Sequence, residues 1–499
     1  MNENIIGYHS SALGNSSFKT INPKTNQENE TELTEATREE VNLACALAAS
    51  AFKKYRRVSG KDRATFLHTI AEEILNIGDP LLELYMSESA LPKGRAEGER
   101  SRMIGQLKSF AALIEKEDWR EISFESVENK IRKLLIPIGP IAVFGASNFP
   151  FAFSTAGGDT ASALAAGNPV VAKNHPMHAG TGAMIAKAIQ TAAKKTGMPD
   201  GVFSNLNSNS HEVGKNVVQN KHIKAVGFTG SLKGGRALFD IANQRDEPIP
   251  VFAEMGSINP VVITQNALKE RSNEIASMYA DSITTGVGQF CTSPGLLLTI
   301  KSAASEAFVS ELSKQLQHKN EGCMLHPSIY EGFINNRNTI LAQDEVNAVL
   351  QLKEGEMANS ANAALVEVPG AIFLKNTKLH QEVFGPFSMV VSCDNEEQLL
   401  EIIENLEGQL TATIMAEESD VHTLDTLVDA LQDRVGRLVY NGVPTGVEVC
   451  EAMTHGGPYP ASTDSRFTAV GTNAIRRWVR PFTFQNLPES LLPNSLKNA

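Results

Sequence analysis

Between Ile141 and Glu254 the chain repeats one rhythm: a short apolar run, a turn, then a helical stretch. The apolar runs are Ile141–Phe144, Pro169–Lys173, Val202–Leu206, Ala225–Phe228 and Pro250–Glu254. Between them lie helical patterns over residues 155–166, 178–195, 211–219 and 231–244. Strands that read as continuous apolar runs, separated by helices, predict a parallel sheet covered on both faces. Such a sheet binds its ligands outside the carboxyl ends of its strands, so the residues just after each run are where chemistry is expected.

The remainder of the chain is organised around this block. Residues 1 to about 35 read as an irregular polar lead with a turn at Asn22-Pro23. Residues 35–115 read as helices, beginning with an apolar stripe through Val41, Ala44, Cys45, Ala48 and Phe52. From Ile122 the pattern alternates, turns at Asn129-Lys130 and alternates again from Ile131, which predicts a hairpin. A second α/β region starts near Asn259, with a helix expected over 271–286 and a strand over 295–300. The basic and apolar tail from Ile475 to Gln485, with Trp478 and Phe482, is expected to pack against another element or another subunit. A length of 499 residues exceeds what one core supports, so several domains are expected.

Composition removes several function classes. A formal net charge of -12 disfavours a nucleic-acid partner, which needs a positive footprint. No apolar run approaches the ~20 residues of a membrane helix, and Met1–Ser17 has no apolar core of a signal peptide. The five cysteines are widely spaced and form no CxxC, so a reduced, cytoplasmic protein is expected. His175 and His178 form an H-x-x-H without nearby further ligands, and no metal site is expected there. No serine sits in a G-x-S-x-G, against a serine hydrolase.

Four stretches can carry chemistry, and each has an ordinary structural alternative. In Gly145-Ala-Ser-Asn148-Phe-Pro, Asn148 could donate to a developing oxyanion, or simply shape the turn. Phe228-Thr-Gly230-Ser231 opens a helix whose first N–H groups could hold a phosphate, or Ser231 is an ordinary N-cap. No G-x-G-x-x-G is present. Glu254, in Phe252-Ala-Glu-Met-Gly, stands at a strand end where a general base could act, or where a carboxylate is merely solvated. Cys291 follows Gly286-Val-Gly-Gln-Phe in a polar turn that suits a nucleophile better than an inert core thiol. Cys45, Cys323, Cys393 and Cys450 have no such setting.

In this order, and together with Lys173 in Val170-Val-Ala-Lys and Gln381-Glu382-Val-Phe384-Gly-Pro, these stretches resemble the aldehyde dehydrogenase superfamily from about Asn22 to the C-terminus. The resemblance implies an α/β aldehyde dehydrogenase fold: a Rossmann-like parallel-sheet cofactor domain, an α/β catalytic domain and a small β oligomerisation element. These are expected over 1–115 with 138–255, over 256–473, and over 116–137 with 474–499. It implies Cys291 as nucleophile, Glu254 as the base for the deacylating water, and Asn148 with the Cys291 N–H as the oxyanion hole. Lys173 and Glu382 become ribose contacts, Gly230 and Ser231 pyrophosphate contacts, and Phe384 a wall beside the nicotinamide ribose. Thiolate attack builds an alkoxide, a single oxyanion donor being worth roughly 3–4 kcal/mol, and hydride departure leaves a thioester for water to cleave.

Pro176 stands where NAD-preferring members commonly carry a ribose-gripping Glu. Without that carboxylate a 2′-phosphate is not repelled, so NADP is expected as cofactor with NAD possible, Lys173 and Lys215 supplying positive charge. Gly145-Ala-Ser-Asn-Phe-Pro-Phe-Ala-Phe-Ser, Asn174-His-Pro-Met-His and Asp464-Ser-Arg466-Phe-Thr-Ala-Val-Gly-Thr are similar to the subgroup of 2,5-dioxovalerate (α-ketoglutarate semialdehyde) dehydrogenases. That substrate carries a carboxylate, for which Arg466 is the candidate partner, although an ion pair within the fold accounts for an arginine there equally well. NADP-linked oxidation of fatty or medium-chain aldehydes is the alternative within the family. A rival of another class is a non-catalytic binding protein on the same fold, and a further option is a coenzyme-A acylating enzyme, which generally lacks the water-activating Glu. The expected partners are a small aldehyde and further copies of this chain, as a homodimer or homotetramer.

Overall fold

The computed structural model describes residues 3–116, 118–125, 130–353, 355 and 357–497. The strand-helix rhythm produces a seven-stranded sheet. Its spatial order is Val251–Glu254, Ala225–Thr229, Ile141–Phe144, Val170–Lys173, Phe203–Leu206, Asn4–Ile6, His9–Ser11. The first five are parallel and the last two antiparallel. Apolar side chains fill both faces, Ile141, Val143 and Val170 in one core and Ala142, Val171 and Val226 in the other. This two-sided burial is why these strands read as unbroken apolar runs.

Strand order reverses between Ile141–Phe144 and Ala225–Thr229: later strands are added on one side and then on the other. That switch point opens a crevice at the carboxyl ends, and Asn148, Gly230 and Ser231 follow those two strands. The chain then leaves Glu254, crosses at Met255–Asn259, and starts a second seven-stranded sheet at Pro260–Ile263. Its order is Asn347–Gln351, Ala364–Pro369, Phe387–Cys393, Leu296–Ile300, Pro260–Ile263, Gln409–Met415, Val435–Tyr440, parallel except at the first edge. Cys291 precedes Leu296–Ile300, so the second sheet presents the amino ends of its strands to the carboxyl ends of the first.

Two expectations need correction. The N-terminal lead is not irregular: Asn4–Ile6 extends the first sheet beside Phe203–Leu206, and Ser17–Asn22 pairs with Gln27–Thr34 around the Asn22-Pro23 turn. The latter strands are mostly polar because they are largely exposed, which hid them. The helix expected from Arg271 begins at Gln265, where Thr264 caps it by accepting from the Ala267 N–H, and runs to Thr284 with a break in helical geometry at Arg271. The hairpin is present as Ser123–Glu125 against Ile131–Pro137, with Lys130 in the left-handed region; Asn129 lies outside the described residues. Val479–Gln485 of the tail pairs with Ile131–Pro137 to complete a three-stranded sheet. Among the described residues no helix is long and apolar enough to cross a membrane.

Candidate active site

Cys291 owes its position to an unusual turn. Gly286, Val287 and Gly288 all have positive φ (59°, 58° and 65°). For the β-branched Val287 this is a strained conformation of the kind that clusters at functional sites. Gly288 has no alternative, since a Cβ there would lie 2.2 Å from the Gly385 backbone. Behind the turn, the fully buried Asn259 donates through Nδ2 to the carbonyls of Cys291 (2.9 Å) and Ser293 (2.8 Å). Its Oδ1 accepts from Ser257 and Thr411. Asn259, which sequence reasoning did not single out, thereby positions the backbone that carries Cys291.

Around Cys291 Sγ the two sheets converge. Glu254 ends its strand, is 4% exposed, and is held from the far side by a bridge to Ser462. His455 is 2% exposed, with Nε2 3.0 Å from Glu254 Oε2 and 3.5 Å from Cys291 Sγ. Its backbone is fixed by bonds from its own N–H to Thr468 Oγ1 and from the Ala469 N–H to its carbonyl. No local motif announced His455; only the fold brings it here. Burial, then the charges of Glu254 and Glu382, push the Cys291 thiol well above its ordinary pKa. That shift favours the thiol over the thiolate, and the thiol faces two groups, Glu254 and His455, that could take its proton. Asn148 Nδ2 donates to the Gln289 carbonyl (3.0 Å), which leaves the second N–H of that amide for a ligand.

Two cavities meet at Cys291. One, of ≈290 Å³, runs along the switch point and is lined by Asn148, Gly230, Ser231, Glu254, Glu382 and Phe384 among others. These residues could hold a nicotinamide dinucleotide. The cavity is polar at the helix N-terminus of Leu232–Asn243 and walled by Phe384. Ser231 is also the N-cap of that helix, accepting from the Gly234 N–H, so both sequence readings of it coexist. Glu382 lies against Gly256, and burial and the nearby Glu254 raise its pKa to about 7. Lys173 donates to the Ser208 carbonyl, and burial lowers its pKa to about 8. Glu35, in electrostatic range of Lys173, accepts from the Ser208 and Ser210 hydroxyls and the Ser210 N–H. Lys215 is exposed on the helix Glu212–Gln219. His175 and His178 stack face to face in the interior, His178 Nε2 on the Ala146 carbonyl.

The other cavity, ≈260 Å³, also reaches Cys291 and is lined by Phe149, Phe153, Phe290 and His455 among others. Two arginines of the helix Lys93–Glu115 line it. Arg95 stacks on Phe149 and Phe290 and pairs with Glu99. Arg102 stacks on Phe153 and donates through Nη1 to the Val447 carbonyl (2.7 Å). Its Nε and Nη2 have no hydrogen-bond partner among the described residues. Glu99 cannot serve it: both of its oxygens already accept, from Phe151 and Ala152 N–H and from Tyr85 and Arg95. Arg466 is not brought here. It is 80% exposed and tied to Asp464 through Nε and Nη2, which matches its ion-pair alternative.

The model of a family described as "Aldehyde dehydrogenase family" matches residues 9–466. "Alpha-ketoglutaric semialdehyde dehydrogenase 2" of Azospirillum brasilense is 44% identical over 475 residues, 93% of this chain and 90% of the relative. "Alpha-ketoglutaric semialdehyde dehydrogenase" of Acinetobacter baylyi is 43% identical over 473 residues, again 93% and 90%. Among solved structures, a Thermus 1-pyrroline-5-carboxylate dehydrogenase with bound NAD superposes with a TM-score of 0.84 at 20% identity, covering 97% of this chain and 92% of that one. Methylmalonate-semialdehyde dehydrogenase from Oceanimonas doudoroffii gives 0.83 at 19%, with 97% and 98% covered.

Proposed function

The chain belongs to the aldehyde dehydrogenase family, NAD(P)-dependent oxidoreductases acting on aldehydes, and from that premise we propose that it oxidises 2,5-dioxovalerate to 2-oxoglutarate with NADP⁺. One aldehyde, one NADP⁺ and one water yield the carboxylate, NADPH and two protons. Bound NADP⁺ supplies the hydride acceptor. Cys291 Sγ loses its proton to the Glu254–His455 pair and bonds to the aldehyde carbon. The Asn148 amide and the Cys291 N–H carry the charge on the former carbonyl oxygen. The oxidised carbon stays on Sγ as a thioester, and Glu254 then deprotonates the water that cleaves it.

The observation that carries the substrate is Arg102. A desolvated guanidinium with two unmatched nitrogens, Nε and Nη2, beside the nucleophile, calls for an anion that arrives with the substrate. A fatty aldehyde would leave it unpaired, although the aromatic walls suit an alkyl chain. The test compares 2,5-dioxovalerate, succinate semialdehyde, hexanal and decanal with NADP⁺ and with NAD⁺. The highest kcat/KM is expected for 2,5-dioxovalerate. Arg102→Met is expected to cut that value by about 10²-fold, the worth of a truncated charge pair, and to leave hexanal within about threefold. Decanal as best substrate, or equal losses on both aldehydes, would overturn the assignment.

The NADP preference rests on Pro176 and Lys173, the carboxylate of Glu35 being already engaged by serine donors. It has a pH signature. Lys173, with its pKa lowered to about 8, is charged below that value and loses its charge as pH rises through it. Glu382, raised to about 7, is charged above that value and is neutralised as pH falls through it. NADP⁺ affinity measured by calorimetry is thus expected to peak between about 7 and about 8 and fall on both sides. Lys173→Met should flatten the alkaline limb and Glu382→Gln the acid limb; limbs unchanged by these variants would refute the contacts.

Supporting a division of labour, the first sheet with its helices carries the cofactor side and the second carries Cys291, corresponding to residues 1–115 with 138–255 and 256–473. We assign the three-stranded sheet of the 116–137 and 474–499 segments to self-association, since exposed Phe124 and Phe482 lie on strands at its two open edges. Sedimentation velocity is expected to give a dimer or tetramer, and a monomer at micromolar concentration would remove this element's role.

A further inference from the structure

The three side chains that the proposed oxidation uses for nucleophilic attack and proton transfer also form a compact set of metal-ligating atoms. Cys291 Sγ is 3.5 Å from His455 Nε2, and that nitrogen is 3.0 Å from Glu254 Oε2. The three ligand atoms all lie within 4.8 Å of one another. Bond lengths of ~2.3 Å to sulfur and ~2.0–2.1 Å to nitrogen or oxygen give tetrahedral edges of roughly 3.3–3.6 Å, so small movements bring all three onto one ion. A thiolate, an imidazole and a carboxylate together favour zinc over magnesium or calcium, which prefer oxygen alone.

A second observation points the same way. Glu254 is 4% exposed, and neither of its oxygens has a hydrogen-bond partner of good geometry among the described residues, where His455 Nε2 is the one cationic group within ion-pair distance. A buried carboxylate this poorly satisfied is aimed at something that arrives. An ion has access to it, because Cys291 lines both cavities, sharing one with His455 and the other with Glu254. The open side leaves a fourth position for water.

We propose that Glu254, Cys291 and His455 form an inhibitory Zn²⁺ site. Binding forms the Zn–S, Zn–N and Zn–O bonds and releases the Cys291 thiol proton to solvent; no electrons are transferred. The ion occupies the nucleophile and both proton acceptors at once, so the loaded protein cannot acylate, and a chelator restores it. The binding does not depend on which aldehyde is oxidised, whereas the inhibition rests on Cys291 being the nucleophile.

The test titrates the metal-free full chain with cobalt chloride and then with zinc chloride. One equivalent of Co²⁺ is expected to produce a sulfur-to-cobalt charge-transfer band, which zinc abolishes. The band should be absent in Cys291→Ala. Affinity should fall at least about tenfold in Glu254→Gln and in His455→Gln, since removing even an outer partner of a metal ligand costs that much. Circular dichroism and NADP⁺ binding establish that each variant is folded, and either of the last two suffices if the other is not. In parallel, wild-type dehydrogenase activity should fall with zinc occupancy and return with EDTA. A missing band, a band that survives in Cys291→Ala, or affinity unchanged in the folded Glu254 and His455 variants would overturn the site. Binding as described with activity unaffected would overturn the inhibition and, with it, Cys291 as nucleophile.

Discussion

Cys291→Ser is expected to lower kcat with any aldehyde by about 10⁴-fold or more while NADP⁺ binding stays within about twofold. The alcohol is a far weaker acid and nucleophile than the thiol, so the Glu254–His455 pair that takes the thiol proton has a much harder proton to remove. Burial and the charges of Glu254 and Glu382 raise even the thiol well above its ordinary pKa, and a hydroxyl there would be harder still to ionise. Nor can Cys45, Cys323 or Cys393 substitute. Burial pushes Cys45 and Cys393 up to about 12 and Cys323 to about 11. Cys45 and Cys393 are fully enclosed, and none of these three lines either cavity. Mass spectrometry of the wild-type protein quenched during turnover should find the acyl adduct on the Cys291 peptide. Turnover near the wild-type rate in Cys291→Ser would sink the covalent mechanism.

What could be read beforehand follows from how local each signal is. The parallel sheet announced itself because strands buried on both faces leave no polar residues in the run. Asn148, Gly230 and Glu254 were findable because each ends such a run, at the strands flanking the switch point or beside them. Cys291 was marked by its glycines, which the structure explains through positive φ and the close approach of Gly385. His455 carried no such mark. It sits in a loop far along the chain and reaches Glu254 only because the Ser462 bridge folds that loop back. Arg102 was hidden for a different reason. On a helix rich in charged residues, one more arginine reads as solvated surface, and only the packing of Phe153 and Val447 around it reveals a desolvated cation. Arg466 showed the converse error: a charge near suggestive residues, held at the surface by its neighbour Asp464.

Glu254→Gln should separate the two halves of the reaction. Acylation needs a proton acceptor for Cys291, and His455 Nε2 at 3.5 Å remains available for that step. Hydrolysis of the thioester needs a base for water, and an amide cannot serve. Stopped-flow traces are therefore expected to show one equivalent of NADPH per active site in a burst, followed by turnover slowed by about 10²–10⁴-fold, the usual worth of a general base. If His455 acts by holding Glu254 through their 3.0 Å contact, the two form one unit. His455→Gln alone should then slow the steady state less than Glu254→Gln. The double variant should be no slower in deacylation than Glu254→Gln, because the positioning of an absent base is worth nothing. The acylation burst discriminates further: with both acceptors gone it should slow as well, and raising the pH should recover part of it by ionising the thiol directly. Additive losses in deacylation would make His455 an independent base acting on water, and absence of a burst in Glu254→Gln would transfer the first proton from His455 to Glu254 and refute the division of roles.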